Sequence, residues 1–216
     1  MSVLRPFFIL LITVLIADAE ELRPRDLAFV LDTNPTLIEM QRTIAAGARL
    51  ATTELAAADT VAVISVASGT KVHLPPSTSP EAIGRAFHGA SSWRLTVVGH
   101  RRLYDGLASA LTQFPNTLDE RRRRAIVLVT NETDRGSTTT ATDLIREARR
   151  KEVAVWVIVV AQPSIPRALE PTLADPHTAE VFFRNLALAT GGGVLRRDGS
   201  GYLLRQCIAD LKEKSN

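Results

Sequence analysis

The chain has 216 residues, 45% of them hydrophobic and 23% charged, with a formal net charge of +3. That is enough apolar chain to bury one sizeable core, which points to a single globular domain and away from disordered or fibrous classes. The charge excess is small and scattered, so nucleic-acid binding has no footing, and the single cysteine, Cys207, excludes an internal disulfide.

The first residues read as an export signal. Arg5 gives a positive start, Phe7 to Ile16 is an apolar core, and Ala17-Asp18-Ala19 offers a small-residue cleavage site before Glu20. The apolar run is short for a bilayer span. Residues 1–19 are therefore expected to be a removed signal peptide, leaving a secreted or periplasmic chain with no membrane span. An uncleaved anchor is the alternative, and no cysteine follows the cleavage point to carry a lipid.

Next comes Asp26-Leu-Ala-Phe-Val-Leu-Asp32-Thr33-Asn34-Pro35-Thr36. The run Leu27 to Leu31 is too short for a helix of its own and suits a buried parallel strand. Asp32, Asn34 and Thr36 follow at every second position, at the carboxyl edge where open α/β sheets bind ligands. Such oxygens can converge on a hard cation, and they are also ordinary turn and cap chemistry. Leu37 to Leu55 carries helical spacing, Thr60 to Ala67 reads as a strand, and Ser68-Gly69 turns into a short strand, Lys71 to Leu74, ended by Pro75-Pro76. Ser79-Pro80-Glu81 starts a helix by N-cap and first-turn proline. Residues 91–102 are polar and irregular, with Trp93 a candidate contact anchor, and Leu103 to Phe114 is helical.

The four arginines Arg121 to Arg124 lie between a helical segment and the strand Ala125 to Thr130, and are read as a solvated helix end and not as a phosphate patch. Asp143 to Lys151 lies in a helix, and the β-branched run Val153 to Val160, with Trp156 in the core, is a central strand. Gln162 to His177 is a proline-containing loop, and helix Ala179 to Thr190 stops at Gly191-Gly192-Gly193. A strand, Val194 to Arg196, and a helix, Tyr202 to Lys212, close the chain, with Cys207 on its apolar side. Strands separated by helices predict a mostly parallel sheet covered on both faces. The four histidines show no zinc spacing, no Gly-x-Ser-x-Gly elbow is present, and Gly191 to Gly193 lack the Lys-Ser/Thr of a phosphate loop.

Four segments together resemble von Willebrand factor A domains. Phe-Val-Leu-Asp32-x-Asn34-x-Thr36 is similar to their opening Asp-x-Ser-x-Ser. Gly99-His-Arg-Arg-Leu-Tyr-Asp105 resembles Gly-Gly-Thr-x-Leu-Tyr-Asp. The segment from Ala125 to Gly136 resembles their Leu-Leu-Thr-Asp-Gly-x-Asp-x-Gly strand and loop, and Leu188-Ala-Thr-Gly-Gly192 the helix end before the last strand. The resemblance implies a Rossmann-like three-layer α/β sandwich over residues 25–214, with a mostly parallel six-stranded sheet and Lys71 to Leu74 as an antiparallel edge strand.

It also implies a metal-ion-dependent adhesion site, whose ligands leave one coordination place for an acidic residue of a partner protein. Here Asp32 keeps the first carboxylate, Asn34 replaces the first serine, and Thr36 keeps a hydroxyl. Arg101 stands in the threonine position and Asn131 in that of the second aspartate. Mg²⁺ sheds water reluctantly and wants carboxylates. A guanidinium a few Å away repels it by about 1 kcal/mol per unit charge even in water, and cannot lose its proton. The same group would instead pair with Asp32, through two parallel donors. The expectation is a non-enzymatic protein-interaction domain with a degenerate adhesion site, no metal and no cofactor. Arg102 is an alternative occupant, Thr96 a displaced hydroxyl, and an outward-pointing Arg101 the plainer arrangement. The alternatives in function are a working Mg²⁺-dependent adhesion domain and a metal-assisted hydrolase using Asp32 and Asp134.

Overall fold

The computed structural model describes residues 23–33, 55–92, 101–161 and 176–198. The signal segment, residues 37–54 of the helix expected over 37–55, the helix expected over 202–212, and Cys207 lie outside the described residues, as do Asn34, Thr36, Trp93, Thr96 and His100. Strands β1 (Arg25–Asp32), β2 (Thr60–Val66), β3 (Thr70–Ser77), β4 (Arg123–Thr130), β5 (Val153–Ala161) and β6 (Val194–Asp198) form one sheet in the order β3-β2-β1-β4-β5-β6. All neighbours pair in parallel except β2 with β3, the antiparallel edge. The central strands are near-continuous apolar runs because both faces are covered.

Alternate residues of β1 serve two separate cores. Leu27, Phe29 and Leu31 join Val127, Trp156 and Ile158 on one face, with helix α1 (Pro80–Ser92) supplying Ile83, Ala86, Phe87 and Ala90. Phe29 and Phe87 meet edge to face at 5.2 Å. Ala28 and Val30 face the other side, under helices α2 (Leu103–Leu111), α3 (Ala141–Arg150) and α4 (Pro176–Ala189). Each large apolar side chain so buried contributes about 1.5–3 kcal/mol, which is what holds the helices to the sheet. Ser79 caps α1 by accepting the Ala82 N–H at 3.2 Å, and Thr140 caps α3 by accepting that of Asp143 at 3.1 Å.

Several boundaries differ from the sequence expectation. The edge strand β3 continues through Pro75 and Pro76, whose positions fall in the register break between Leu74 opposite Val63 and Ser77 opposite Val61. An edge strand with a bulge tolerates prolines because no ladder hydrogen bond is lost there. Helix α1 runs on to Ser92, α2 stops at Leu111, and α4 begins at Pro176, proline being favourable in a first turn. Gly191 ends α4 with φ +81°, as the triple glycine predicts.

The arginine run is not a helix end. Arg123 and Arg124 belong to β4, and Arg122 precedes it with its guanidinium on Asp26 at 2.7 Å. Arg124 is buried and donates to the Thr117 and Lys151 carbonyls at 2.6 and 3.1 Å. The Lys151 ammonium, also buried, donates to the Leu111 and Phe114 carbonyls at 2.8 and 2.9 Å. A cation thus satisfies the end of α2, where the macrodipole favours positive charge.

Candidate functional site

β1 is flanked by β2 on one side and β4 on the other, so the chain reverses its direction of travel across the sheet at the β1–β4 crevice. Ligand sites of open α/β sheets form at such switch points, outside the carboxyl ends of the strands. The register that sets Leu31 beside Val129 brings Asp32 and Thr130 to this crevice. Asp32 is 1% exposed, and its Oδ2 accepts a hydrogen bond from the Thr130 hydroxyl at 2.8 Å. Thr33, equally buried, ties the end of β1 to β2 by donating its N–H to the Val66 carbonyl at 3.0 Å.

Arg101 comes to Asp32 from the loop before α2. Its backbone pairs with Arg135 through two hydrogen bonds of 2.7 and 2.8 Å, an isolated antiparallel bridge. The neighbouring Arg102 N–H donates to the Ala67 carbonyl at 3.0 Å. Held this way, Arg101 places Nη1 at 3.5 Å from Asp32 Oδ2 and Nη2 at 2.9 Å from Glu132 Oε1. Its side chain is only 16% exposed, so it turns into the site and not out to solvent, while Arg102 is exposed. The expected bidentate grip on Asp32 is not formed. The guanidinium bridges two carboxylates because Glu132 takes the shorter contact.

Glu132 is the residue that the sequence reading missed. It is 4% exposed, and burial pushes its carboxyl above the usual range; Arg101 and Arg135 pull it down, and Asp32 pushes it up. The anion absent from position 131 is thus regained one residue later. Asn131 is buried at the expected place, and its Oδ1 accepts no hydrogen bond among the described residues.

Asp134, the second carboxylate of the hydrolase alternative, is engaged in loop hydrogen bonds. Its Oδ1 accepts the Tyr104 N–H at 2.9 Å, at the start of α2, and the Ser137 hydroxyl at 2.5 Å. Asp105 reciprocates from α2, accepting the Thr138 and Thr139 N–H groups at 3.1 and 3.0 Å. Burial would raise the Asp105 carboxyl, but these hydrogen bonds from Thr139 and Thr138 outweigh it and hold it below its ordinary value. Burial, with Asp134 nearby, pushes the Tyr104 phenol up to about 12. Two carboxylates therefore lock the loops that carry Arg101 and Glu132 to one another. Among the described residues no group of three or more histidine, cysteine, aspartate or glutamate side chains is arranged to hold a metal ion.

An open, mostly parallel sheet with its polar centre at the switch point defines a doubly wound α/β protein. More narrowly, the chain has the fold of von Willebrand factor A domains. The structure is similar to BatB, a conserved hypothetical protein of Bacteroides thetaiotaomicron, with a TM-score of 0.65 and 18% identity over 88% of this chain and 98% of that one. An aerotolerance-related membrane protein of Bacteroides fragilis gives 0.60 and 18% over the same shares. Proximal thread matrix protein 1 of the mussel byssus, solved with a zinc-occupied MIDAS motif, gives 0.61 and 16% over 89% of this chain and 46% of that one. No family model and no curated protein sequence matches the chain.

Proposed function

We propose that this chain is an exported, non-enzymatic protein-interaction domain whose carboxyl edge docks a partner without a divalent ion, with Arg101 standing in for the cation. One observation carries the reading: the Arg101 guanidinium lies between two buried carboxylates, 3.5 Å from Asp32 and 2.9 Å from Glu132. A divalent cation at Asp32 would face that fixed positive charge, and Asn131 would offer it only a neutral oxygen where a carboxylate is wanted. The residues present therefore suit an internal cation better than Mg²⁺. The hydrolase alternative is weakened because Asp134 is engaged by Tyr104 and Ser137.

The partner is another protein, presenting an acidic side chain. Arg101 is already shared between two carboxylates, so the acid is received by two exposed arginines, Arg102 next to the Arg101–Arg135 bridge and Arg135 within it. A planar guanidinium fork holds a carboxylate with two parallel hydrogen bonds and needs no metal. On this reading residues 1–19 direct export and are removed, and 25–214 form the domain. Among the described residues no helix is long and apolar enough to cross a membrane. The test is capture from a cell-envelope extract with chelator present throughout. The same partner should be retained with and without chelator and lost when Arg102→Glu and Arg135→Glu are combined. Capture that disappears in chelator and returns with Mg²⁺ would favour the metal-dependent alternative.

A further inference from the structure

The edge strand carries a histidine at a bulge. Val72 stands opposite Ile64 and Leu74 opposite Val63, two neighbours on β2, so His73 is the extra residue on β3. A bulge re-aims the side chain that it carries. Here the ring turns onto β2, where its Nε2 lies 2.9 Å from the Ser65 hydroxyl oxygen. On α1 it faces Gly89, where an added Cβ would stand 3.5 Å from Nδ1.

Ser65 has no exposed area and follows Val61 and Val63 on the face of β2 turned to α1. A hydroxyl buried there needs a hydrogen-bond partner. It has one proton to give and two acceptors within reach. One is His73 Nε2; the other, at 3.4 Å, is the carbonyl of Ala90 in the last turn of α1.

We propose that His73 and Ser65 form a proton-operated switch between β3 and the last turn of α1, independent of the function proposed for the carboxyl edge. With the ring neutral and its proton on Nδ1, the Ser65 hydroxyl donates to Nε2. A second proton, taken from solvent by the half-buried ring, lands on Nε2 and reverses that bond. Nε2–H then donates to Ser65 Oγ, and the hydroxyl proton turns to the Ala90 carbonyl, the longer contact. The charged state is the costlier one. Burial opposes charge on the ring and the Lys71 ammonium adds to the effect, so His73 titrates below its ordinary value. β2 carries no charged residue, and the Glu81, Arg85 and His88 side chains of α1 are exposed; Lys71, on β3 itself, is the charge that acts on the ring. A histidine held below its unfolded value contributes stability that is present above that value and lost as pH falls through the folded one. Acidification below about pH 6.5 therefore loosens β3 from the end of α1.

Nitrogen-15 NMR of the imidazoles in the full chain reads the tautomer and the titration midpoint. Hydrogen exchange, corrected for intrinsic rates, reads local opening at neutral pH and at about pH 5. At neutral pH the His73 proton is expected on Nδ1, with a midpoint below the ordinary value. Charging the ring should raise opening of the Thr70–Ser77 and Gly89–Ser92 amides about tenfold, the equivalent of one pKa unit. His73→Gln, with no proton to gain, should abolish that rise. Should that variant fail to fold, Ser65→Ala serves in its place, and the ring should lose its tautomer preference. A neutral ring protonated on Nε2 or a midpoint at or above the ordinary value overturns the proposal. So does an exchange rise that His73→Gln retains, or a tautomer preference that Ser65→Ala leaves unchanged.

Discussion

Replacing Arg101 with methionine keeps much of the side-chain volume and removes the charge between Asp32 and Glu132. The Asp32 side chain has no exposed area and that of Glu132 is 5% exposed, so both carboxylates would remain buried with their common cation gone. Breaking a buried pair by deleting one partner costs about 3–5 kcal/mol. For a domain of this size that is a fall in melting temperature of roughly 6–20 °C. The loss should depend on pH. Glu132 already titrates above its ordinary value in the folded protein. A carboxyl raised on folding contributes stability that is present below the unfolded value and lost as pH rises through the folded one. Without Arg101 the folded value rises further, so the deficit of Arg101→Met relative to wild type is largest near neutral pH and shrinks toward pH 5. Paired thermal melts of the two proteins across that range isolate this difference, since the remaining titrations largely cancel. A melting temperature unchanged at neutral pH, or a deficit flat with pH, would refute an internal cation shared by the two acids.

Three further perturbations address the frame around the site. Lys151→Met strips the cation from the Leu111 and Phe114 carbonyls and should cost about 1.5–3 kcal/mol by denaturant titration. Gly192→Ala should cost about 3 kcal/mol, read as a lower unfolding midpoint with unchanged slope, because a Cβ there would lie 1.9 Å from the Val155 carbonyl oxygen. Asp134→Ala frees the Tyr104 N–H and the Ser137 hydroxyl and should destabilise by about 1–2 kcal/mol, a cap-sized loss. The same change removes a nearby negative charge, so an ultraviolet titration should find the Tyr104 phenol ionising below about 12.

The strands were legible because parallel strands covered on both faces become unbroken apolar runs, as in Leu27 to Leu31 and Val153 to Val160. Helix starts were legible where a capping side chain made the signal, as at Ser79. The length of β3 was not, because Pro75-Pro76 reads as a stop and only the antiparallel partner and its register break show that the strand resumes. The proximity of Asp32 and Arg101 was legible by matching positions to a family pattern. The place of Glu132 was not. It depends on the 131–137 loop being drawn to α2 by Asp134 and by the Arg101–Arg135 bridge, contacts that join residues about thirty positions apart. An acid directly after Asn131 was the one available signal, and a pattern that specifies position 131 passes over it. The arginine run misled for a similar reason, since Asp26 and the Thr117 carbonyl, which hold Arg122 and Arg124, are invisible to local charge counting.

Calorimetric titration with Mg²⁺ and Mn²⁺ tests most directly the proposal that Arg101 takes the place of a divalent ion beside Asp32. The wild-type chain should give no saturable heat at millimolar metal, and Arg101→Thr combined with Asn131→Asp should give measurable binding by exchanging the guanidinium for a hydroxyl and restoring a carboxylate. Millimolar or tighter binding to the unaltered protein, abolished by Asp32→Ala, would contradict the account.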